Sequence, residues 1–228
     1  MMTYNIVATG SRGNAVVINE RILIDCGVPY YKLEPHADKI KLVLLTHSHG
    51  DHFKRSTVRK LHQLHPAIRW GCCEWMAGLL VDAGVDKRSI DVIEPTPPGG
   101  ASHAVIYRNI AIVSAVPIPH DVPNCGWKIH FRHESLFYAT DCSSLDSVCA
   151  ENFDFYMIEA NHKREEIEAR IAAKRAAGEY PYELEAMRNH LSEEQALDWL
   201  AKNAGPDSRY IFLHGHTESN NTKEETDA

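Results

Sequence analysis

Short apolar runs separated by turn residues dominate the first 45 positions of the chain. Val, Ile and Leu fill the runs, and Gly, Asn, Ser and Glu fill the intervals, a pattern that predicts short β-strands. The last run, Leu42 to Leu45, contains no polar residue, which is typical of a strand buried on both faces. The predicted strands of this half are residues 4–8, 15–18, 21–25 and 41–45.

The strand pattern returns in the second half, and helices follow the strands of each half. A capping box at residues 192–195 marks the start of the last helix. The predicted helices are residues 56–65, 73–83, 163–177 and 193–203, and the later strands are residues 89–93, 105–107, 110–113, 127–131, 136–139, 154–158 and 210–213. Two strand-rich halves of this kind predict an α/β fold in which two sheets pack face to face with helices outside, a four-layer αββα sandwich.

The length and the cysteines of the chain indicate its domain organisation and its cellular location. Its 228 residues show no evident linker, which predicts one domain over residues 1–221 and a polar tail at 222–228. No apolar run approaches the roughly 20 residues that span a bilayer, and the N-terminus lacks the features of a signal peptide. The six cysteines form no CxxC pair, so a reducing cytoplasm is the expected location.

The most informative segment follows the apolar run at 41–45 and contains three histidines and one aspartate within six residues. Side chains alternate along a strand, so His47 and His49 are expected to point the same way. Asp51 and His52 lie where the chain turns towards a helix, and they can face a second point nearby. Imidazole and carboxylate suit Zn²⁺ best, with Mn²⁺ or Fe as alternatives. The segment therefore predicts two metal ions.

Further ligands are expected at strand ends. His120 follows an apolar strand and completes a three-histidine site with His47 and His49. Asp141 follows another strand, where one carboxylate can bridge two metals. His214 supplies a last imidazole, and His216, two residues further on, competes for that role. The predicted metal ligands are His47, His49, Asp51, His52, His120, Asp141 and His214.

The order of these residues resembles that of the metallo-β-lactamase superfamily. Within it, the sequence is most similar to the WalJ branch, also called YycJ or VicX, a group of nuclease-like proteins that adjoins RNase Z. The matching motifs span most of the chain: residues 8–15 resemble SGSSGN, residues 23–27 resemble LIDAG, residues 120–127 resemble HDA followed by GY, residues 159–162 resemble ESNHD, residues 189–192 resemble GHLS and residues 214–220 resemble HLSKENN.

The resemblance implies a metallo-β-lactamase fold and a dizinc site, and it assigns roles to three residues. Asp51 would bind metal and orient the nucleophile. Glu159 and His190 match a pair that shuttles protons in RNase Z-like enzymes. The chemistry agrees, because a carboxylate beside an imidazole raises its pKa and allows it to protonate a leaving alkoxide. The catalytic residues are therefore predicted to be Asp51, Glu159 and His190.

The leading functional hypothesis is a dinuclear metal-dependent phosphodiester hydrolase, a nuclease that attacks DNA or RNA with a dizinc-activated hydroxide. A second hypothesis keeps this chemistry and takes a cyclic nucleotide as substrate. The net charge of −7 and the lack of a basic stripe favour it, because both argue against a broad nucleic-acid footprint. Further alternatives are a thioester or lactam hydrolase and a non-catalytic metal-binding module. No membrane partner is expected, and a homodimer is the first hypothesis for the assembly.

Overall fold

The computed structural model describes residues 1–97, 99–100 and 103–215, and its twelve strands form two six-stranded sheets. The first sheet has the order β1-β2-β3-β4-β5-β6, antiparallel from β1 to β3 and parallel from β3 to β6. Its strands are β1 (Tyr4–Ala8), β2 (Ala15–Ile18), β3 (Ile22–Ile24), β4 (Leu42–Leu45), β5 (Arg69–Cys72) and β6 (Ile90–Val92).

The second sheet has the order β12-β11-β10-β9-β8-β7, and only β10, β11 and β12 pair in parallel. Its strands are β7 (Ala104–Tyr107), β8 (Ala111–Ile118), β9 (Asn124–His130), β10 (Ser135–Ala139), β11 (Phe155–Glu159) and β12 (Arg209–Leu213). The helices are α1 (Tyr30–Ala37), α2 (Arg55–Leu64), α3 (Glu74–Asp82), α4 (Arg164–Ala176), α5 (Glu183–Asn189) and α6 (Glu193–Asn203).

Strand alternation divides the apolar residues among three buried clusters. In β4, Leu42 and Leu44 pack in the cluster between the two sheets, whereas Val43 and Leu45 pack with helices α1 to α3 on the outer side of the first sheet. A third cluster joins the outer side of the second sheet to α6 through Trp199. Both faces of β4 are therefore buried, which explains its unbroken apolar run. The layer order is the predicted αββα sandwich.

Several elements differ from the sequence prediction. Helix α1 contains Pro35, and β5 contains Gly71, so neither segment carries a strong signal for its structure. Strand β8 extends to Ile118, past the predicted end at residue 113. Pro117 lies beyond Ser114, where the pairing of β7 with β8 ends, and it stands opposite Cys125 of β9. The capping box at Ser192 is present as predicted.

No helix among the described residues is long and apolar enough to cross a membrane. The predicted tail at 222–228 and the competing ligand His216 lie outside the described residues.

Candidate metal centre

Six strand ends deliver polar side chains to one edge of the sandwich, and both sheets contribute. Parallel neighbouring strands end at the same edge, which is why residues far apart in sequence meet there. These residues are Asp25 after β3, His47 after β4, His120 after β8, Asp141 after β10, Glu159 at the end of β11 and His214 after β12.

Three of these residues have left-handed backbone conformations, with φ of 61° at Asp25, 54° at Asp141 and 59° at His214. None is glycine, so each conformation costs free energy that the surrounding contacts must offset. Strain of this kind concentrates at functional sites. Here each of the three residues follows the end of a strand.

Three histidines form the first group of candidate ligands. His49 Nδ1 lies 3.2 Å from His47 Nε2 and 3.4 Å from His120 Nε2. Burial, together with the neighbouring His52, lowers the pKa of His47 to about 2, and burial also lowers the pKa of His120. Both rings are therefore neutral at physiological pH, and neutral imidazole is the form that binds metal.

His52 lies between two buried carboxylates. Its Nδ1 is 2.7 Å from Asp25 Oδ2, and its Nε2 is 2.8 Å from Asp141 Oδ2. Burial lowers the pKa of His52, but these two carboxylates outweigh burial and raise the pKa to about 10. Thr46 donates hydrogen bonds to Asp25 from its backbone N–H and its hydroxyl, at 2.9 and 3.0 Å to Oδ1. The carboxylates thus stabilise positive charge beside Nε2, whether a proton or a metal cation carries it.

Asp51 lies at the rim of the site, with its side chain 24% exposed. Its Oδ2 is 3.8 Å from His52 Nε2 and accepts a hydrogen bond of 3.4 Å from Asn14 Nδ2. The backbone N–H of Asn14 also donates to the carbonyl of Asp51, at 2.6 Å. Asn14 therefore fixes the loop that carries Asp51, a role that the sequence prediction did not assign to it.

Glu159 is fully buried and serves two histidines at once. Its Oε1 lies 2.6 Å from His190 Nδ1 and 2.8 Å from His214 Nδ1, and its Oε2 accepts the backbone N–H of Cys142 at 2.8 Å. Burial raises the pKa of Glu159, but the hydrogen bonds from the two histidines outweigh it and lower the pKa. Burial likewise lowers the pKa of His190, and its bond to Glu159 reverses that effect and raises the pKa. The predicted pair is thus a triad with His214.

Asp141 connects these groups. Its Oδ2 contacts His52, and its Oδ1 lies 3.7 Å from Nδ1 of both His190 and His214. Burial would raise the pKa of Asp141, but the hydrogen bond from His52 and the surrounding imidazoles hold it well below its usual range. Asp141 is therefore a carboxylate anion at the centre of the cluster.

The donor set contains groups of residues that could hold metal cations. Within three groups, every candidate ligand atom lies within 4.8 Å of the others; the groups are His47 with His49 and His120, His47 with His52 and Asp141, and Asp141 with Glu159, His190 and His214. His47 and Asp141 each belong to two groups, so the three adjoin. His214 Nε2 is buried and has no hydrogen-bond partner among the described residues, which leaves it available to a cation. Asp51 lies outside all three groups.

A backbone contact at Gly27 shapes the loop of Asp51 and His52. A Cβ atom at Gly27 would lie 1.6 Å from the carbonyl oxygen of Asp51, so no other residue fits without moving that loop. We expect Gly27→Ala to lower the free energy of unfolding by about 1–3 kcal/mol and to reduce metal content, as measured by chemical denaturation and elemental analysis.

Gly50→Ala is the matched control for this prediction. Gly50 lies in the same loop as Asp51 and His52, and a Cβ atom added there would meet no heavy atom within 4 Å. The control is expected to retain wild-type stability and metal content. Equal behaviour of the two variants would show that the contact at Gly27 does not shape the site.

Comparisons with known proteins agree with this architecture. The family model described as "Beta-lactamase superfamily domain" matches residues 20–214. No curated protein matches the chain. Among solved structures, the metallo-beta-lactamase fold protein YhfI from Bacillus subtilis is similar, with 16% identity, a TM-score of 0.69, and coverage of 96% of this chain and 88% of that one. The short form of human tRNase Z has 16% identity, a TM-score of 0.67, and coverage of 94% and 93%.

A third similar structure is Zn²⁺-bound PqqB from Methylobacterium extorquens, with 13% identity, a TM-score of 0.63, and coverage of 94% and 89%. At such low identity these likenesses concern the fold alone. The family match covers most of the chain, and it agrees with the two sheets and the ligand cluster at their shared edge. The chain therefore belongs to the metallo-β-lactamase superfamily.

Proposed function

We propose that this protein is a dinuclear metal-dependent phosphodiester hydrolase of the nuclease type, with zinc as the first candidate metal and the cytoplasm as its location. Membership of the superfamily supports metal-dependent hydrolysis. The finer assignment rests on one observation, the 2.6 Å contact between Glu159 and His190 beside the candidate ligand Asp141. An alkoxide is a poor leaving group, and this histidine is placed to protonate it.

Two cations, when bound, would generate a nucleophile from water at neutral pH and offset charge on the phosphoryl oxygens. His47, His49 and His120 would hold one of them, and Asp51, His52 and His214 the other, with Asp141 shared. The carboxylate of Asp51, at the exposed rim, would accept a proton from the nucleophile and orient it. Asn14 holds that carboxylate in place through its 3.4 Å hydrogen bond.

His190 would act on the leaving oxygen. Glu159 accepts a hydrogen bond from Nδ1 of His190 and thereby selects the tautomer with a proton on Nδ1. The other ring nitrogen, Nε2, points away from the carboxylate. Because Glu159 raises the pKa of His190, a larger fraction of the ring is protonated near neutral pH. A protonated Nε2 can then donate to the departing alkoxide, as general acid catalysis requires.

Protein purified without chelator is expected to contain two divalent ions per chain, as measured by elemental analysis, with Zn first and Mn or Fe as alternatives. If one ion is found, the position facing Asp51 is expected to be empty, because Asp51 lies outside the three donor groups. A folded and active protein without metal would overturn the proposal.

Three model substrates separate the reaction classes. The proposal requires turnover of bis-p-nitrophenyl phosphate and little or none of a thioester or a cephalosporin. Single-stranded DNA, RNA and cyclic nucleotides then divide the phosphodiesters. The name of the human tRNase Z neighbour supports a nucleic-acid substrate, whereas the net charge of −7 favours a small cyclic nucleotide. Preferential turnover of cyclic nucleotides would replace the nuclease assignment.

A further inference from the structure

The segment between β11 and His190 forms a helical hairpin that leaves the candidate centre and returns to it. Helix α4 begins five residues after Glu159, and α5 ends at Asn189, directly before His190. The isolated bridge between His162 and Ser192 closes the base of the hairpin. Both helices therefore connect the tip to the site, and α5 ends directly before the proposed proton donor.

The tip of this hairpin presents an aromatic pair to solvent. Tyr180 is 59% exposed and Tyr182 is 67% exposed, and their ring centroids lie 5.0 Å apart at an angle of 74°. In each of the other aromatic pairs among the described residues, at least one of the two rings is less exposed than Tyr180. Two adjoining exposed rings present aromatic faces on which a planar group can stack.

One cation lies beside the aromatic pair, and two more lie nearby in sequence. The Nζ atom of Lys174 lies 5.9 Å from the ring centroid of Tyr182 and pairs with Glu183 at 2.7 Å. Arg175 and Arg188 are exposed nearby in sequence. Residues 170–190 contain four Lys or Arg and three Glu, whereas the whole chain has a net charge of −7. With its histidine neutral, this segment has a net charge of +1, opposite in sign to that of the whole chain.

We propose that the hairpin tip, defined by Tyr180 and Tyr182, is a stacking platform for the bases of single-stranded nucleic acid. This inference rests on the phosphodiesterase proposed above and specifies its substrate as a single strand. An acidic enzyme has few cations with which to hold phosphates along a strand. Base stacking on aromatic side chains supplies affinity without net charge, and every base has a π-face to offer. Bases within a duplex are already stacked and present no face to the tyrosines.

The length of α5 sets the register of the platform. Eight residues separate Tyr182 from His190, which corresponds to about 12 Å along a helix axis. Stacked nucleotides follow each other at about 3.4 Å, so a base on Tyr182 belongs to a nucleotide a few positions away from the scissile bond. The platform is therefore expected to select strands of several nucleotides over dinucleotides and cyclic nucleotides.

The test compares three variants of the full-length protein with the wild type. Tyr180→Ala/Tyr182→Ala removes both rings, Tyr180→Phe/Tyr182→Phe keeps them, and Tyr31→Ala removes an equally exposed tyrosine from α1. Each is measured for binding of a fluorescein-labelled single-stranded oligonucleotide by anisotropy, for KM on the same oligonucleotide, and for hydrolysis of bis-p-nitrophenyl phosphate. Circular dichroism verifies that each variant is folded.

Stacking is worth about 1–3 kcal/mol per base, so the double alanine variant is expected to raise both Kd and KM for the oligonucleotide at least tenfold. Hydrolysis of bis-p-nitrophenyl phosphate, which has no base, should fall far less. The double phenylalanine variant and Tyr31→Ala should resemble the wild type. Wild-type binding should depend weakly on salt, because each neutralised phosphate contributes about −0.7 to the slope of log K against log salt and the platform neutralises few.

Four results would overturn the platform: unchanged oligonucleotide binding in the double alanine variant, an equal loss in the phenylalanine variant, duplex binding as tight as single-strand binding, or a dimer that dissociates when the tyrosines are removed while KM is unchanged. A wild-type protein that hydrolyses no phosphodiester would instead contradict the proposed function. The anisotropy measurement would then still decide whether the platform binds a single strand.

Discussion

Replacing Asp141 with alanine is expected to abolish turnover in a protein that still folds. The carboxylate lies at the centre of the cluster, 2.8 Å from His52 and 3.7 Å from His190 and His214. Without it, two neighbouring cations would share no anion, and their mutual repulsion would be uncompensated. We expect loss of at least one metal ion per chain together with loss of activity, measured by elemental analysis and by hydrolysis of bis-p-nitrophenyl phosphate.

Asp141→Asn is the better control for backbone effects. Alanine at the left-handed φ of 54° is strained, at a cost of about 1–2 kcal/mol, whereas asparagine tolerates that conformation and keeps the shape of the side chain. Both variants should lose activity if the site requires the negative charge of the Asp141 carboxylate. Wild-type turnover and unchanged metal content in both would make Asp141 a turn residue after β10.

Replacing His190 with alanine is expected to slow turnover by about 10²–10⁴-fold, the usual contribution of a general acid, with both metals retained. The loss should shrink for a substrate that releases p-nitrophenolate, because a good leaving group needs little protonation. Steady-state kinetics on p-nitrophenyl and alkyl phosphodiesters measure this difference. An equal loss on both substrates would assign His190 to substrate binding, and loss of metal would make it a ligand.

Glu159 contacts several hydrogen-bond donors, and these contacts determine which variant tests proton transfer by His190 alone. Glu159 accepts from His190, from His214 and from the backbone N–H of Cys142. An amide at this position would place an NH₂ group against one of these donors, so Glu159→Gln is expected to disturb His214 as well as His190. His190→Ala leaves the contact between Glu159 and His214 in place. It therefore isolates the proton transfer, and Glu159→Gln does not.

The sequence predicted the sandwich and located the strand ends that carry the histidines, because a buried run followed by a polar ligand residue is a local signal. The positions of His120, Asp141 and His214 at strand ends predicted them as further ligands, and the resemblance to a known family supported the same set. Whether the ligands hold metal remains a prediction.

Sequence reasoning did not find the residues that act through hydrogen bonds across the fold. Asp25 ends a strand and contacts His52, 27 residues away, and Asn14 reaches Asp51 across 37 residues. No periodicity encodes such partners. Two signals pointed to Asp25, the apolar run before it in the strand adjacent to β4 and its place in the motif at residues 23–27. In the hairpin of α4 and α5, only α4 was predicted, because α5 is too short to show a helical pattern.

The distribution of the cluster over both sheets has a consequence for the order in which the protein assembles. His52 lies in the loop after β4 of the first sheet, and His214 follows the last strand of the second. Their ring centroids lie 6.4 Å apart, so their approach closes a loop of more than 160 residues. Contacts this distant in sequence form late, because closing the loop costs conformational entropy before the contacts contribute favourable free energy. During synthesis, the first sheet can collapse on its helices while the edge that carries the candidate ligands is still incomplete. If these ligands hold metal, its capture is expected to be the final step of folding, and it would lock the two halves together.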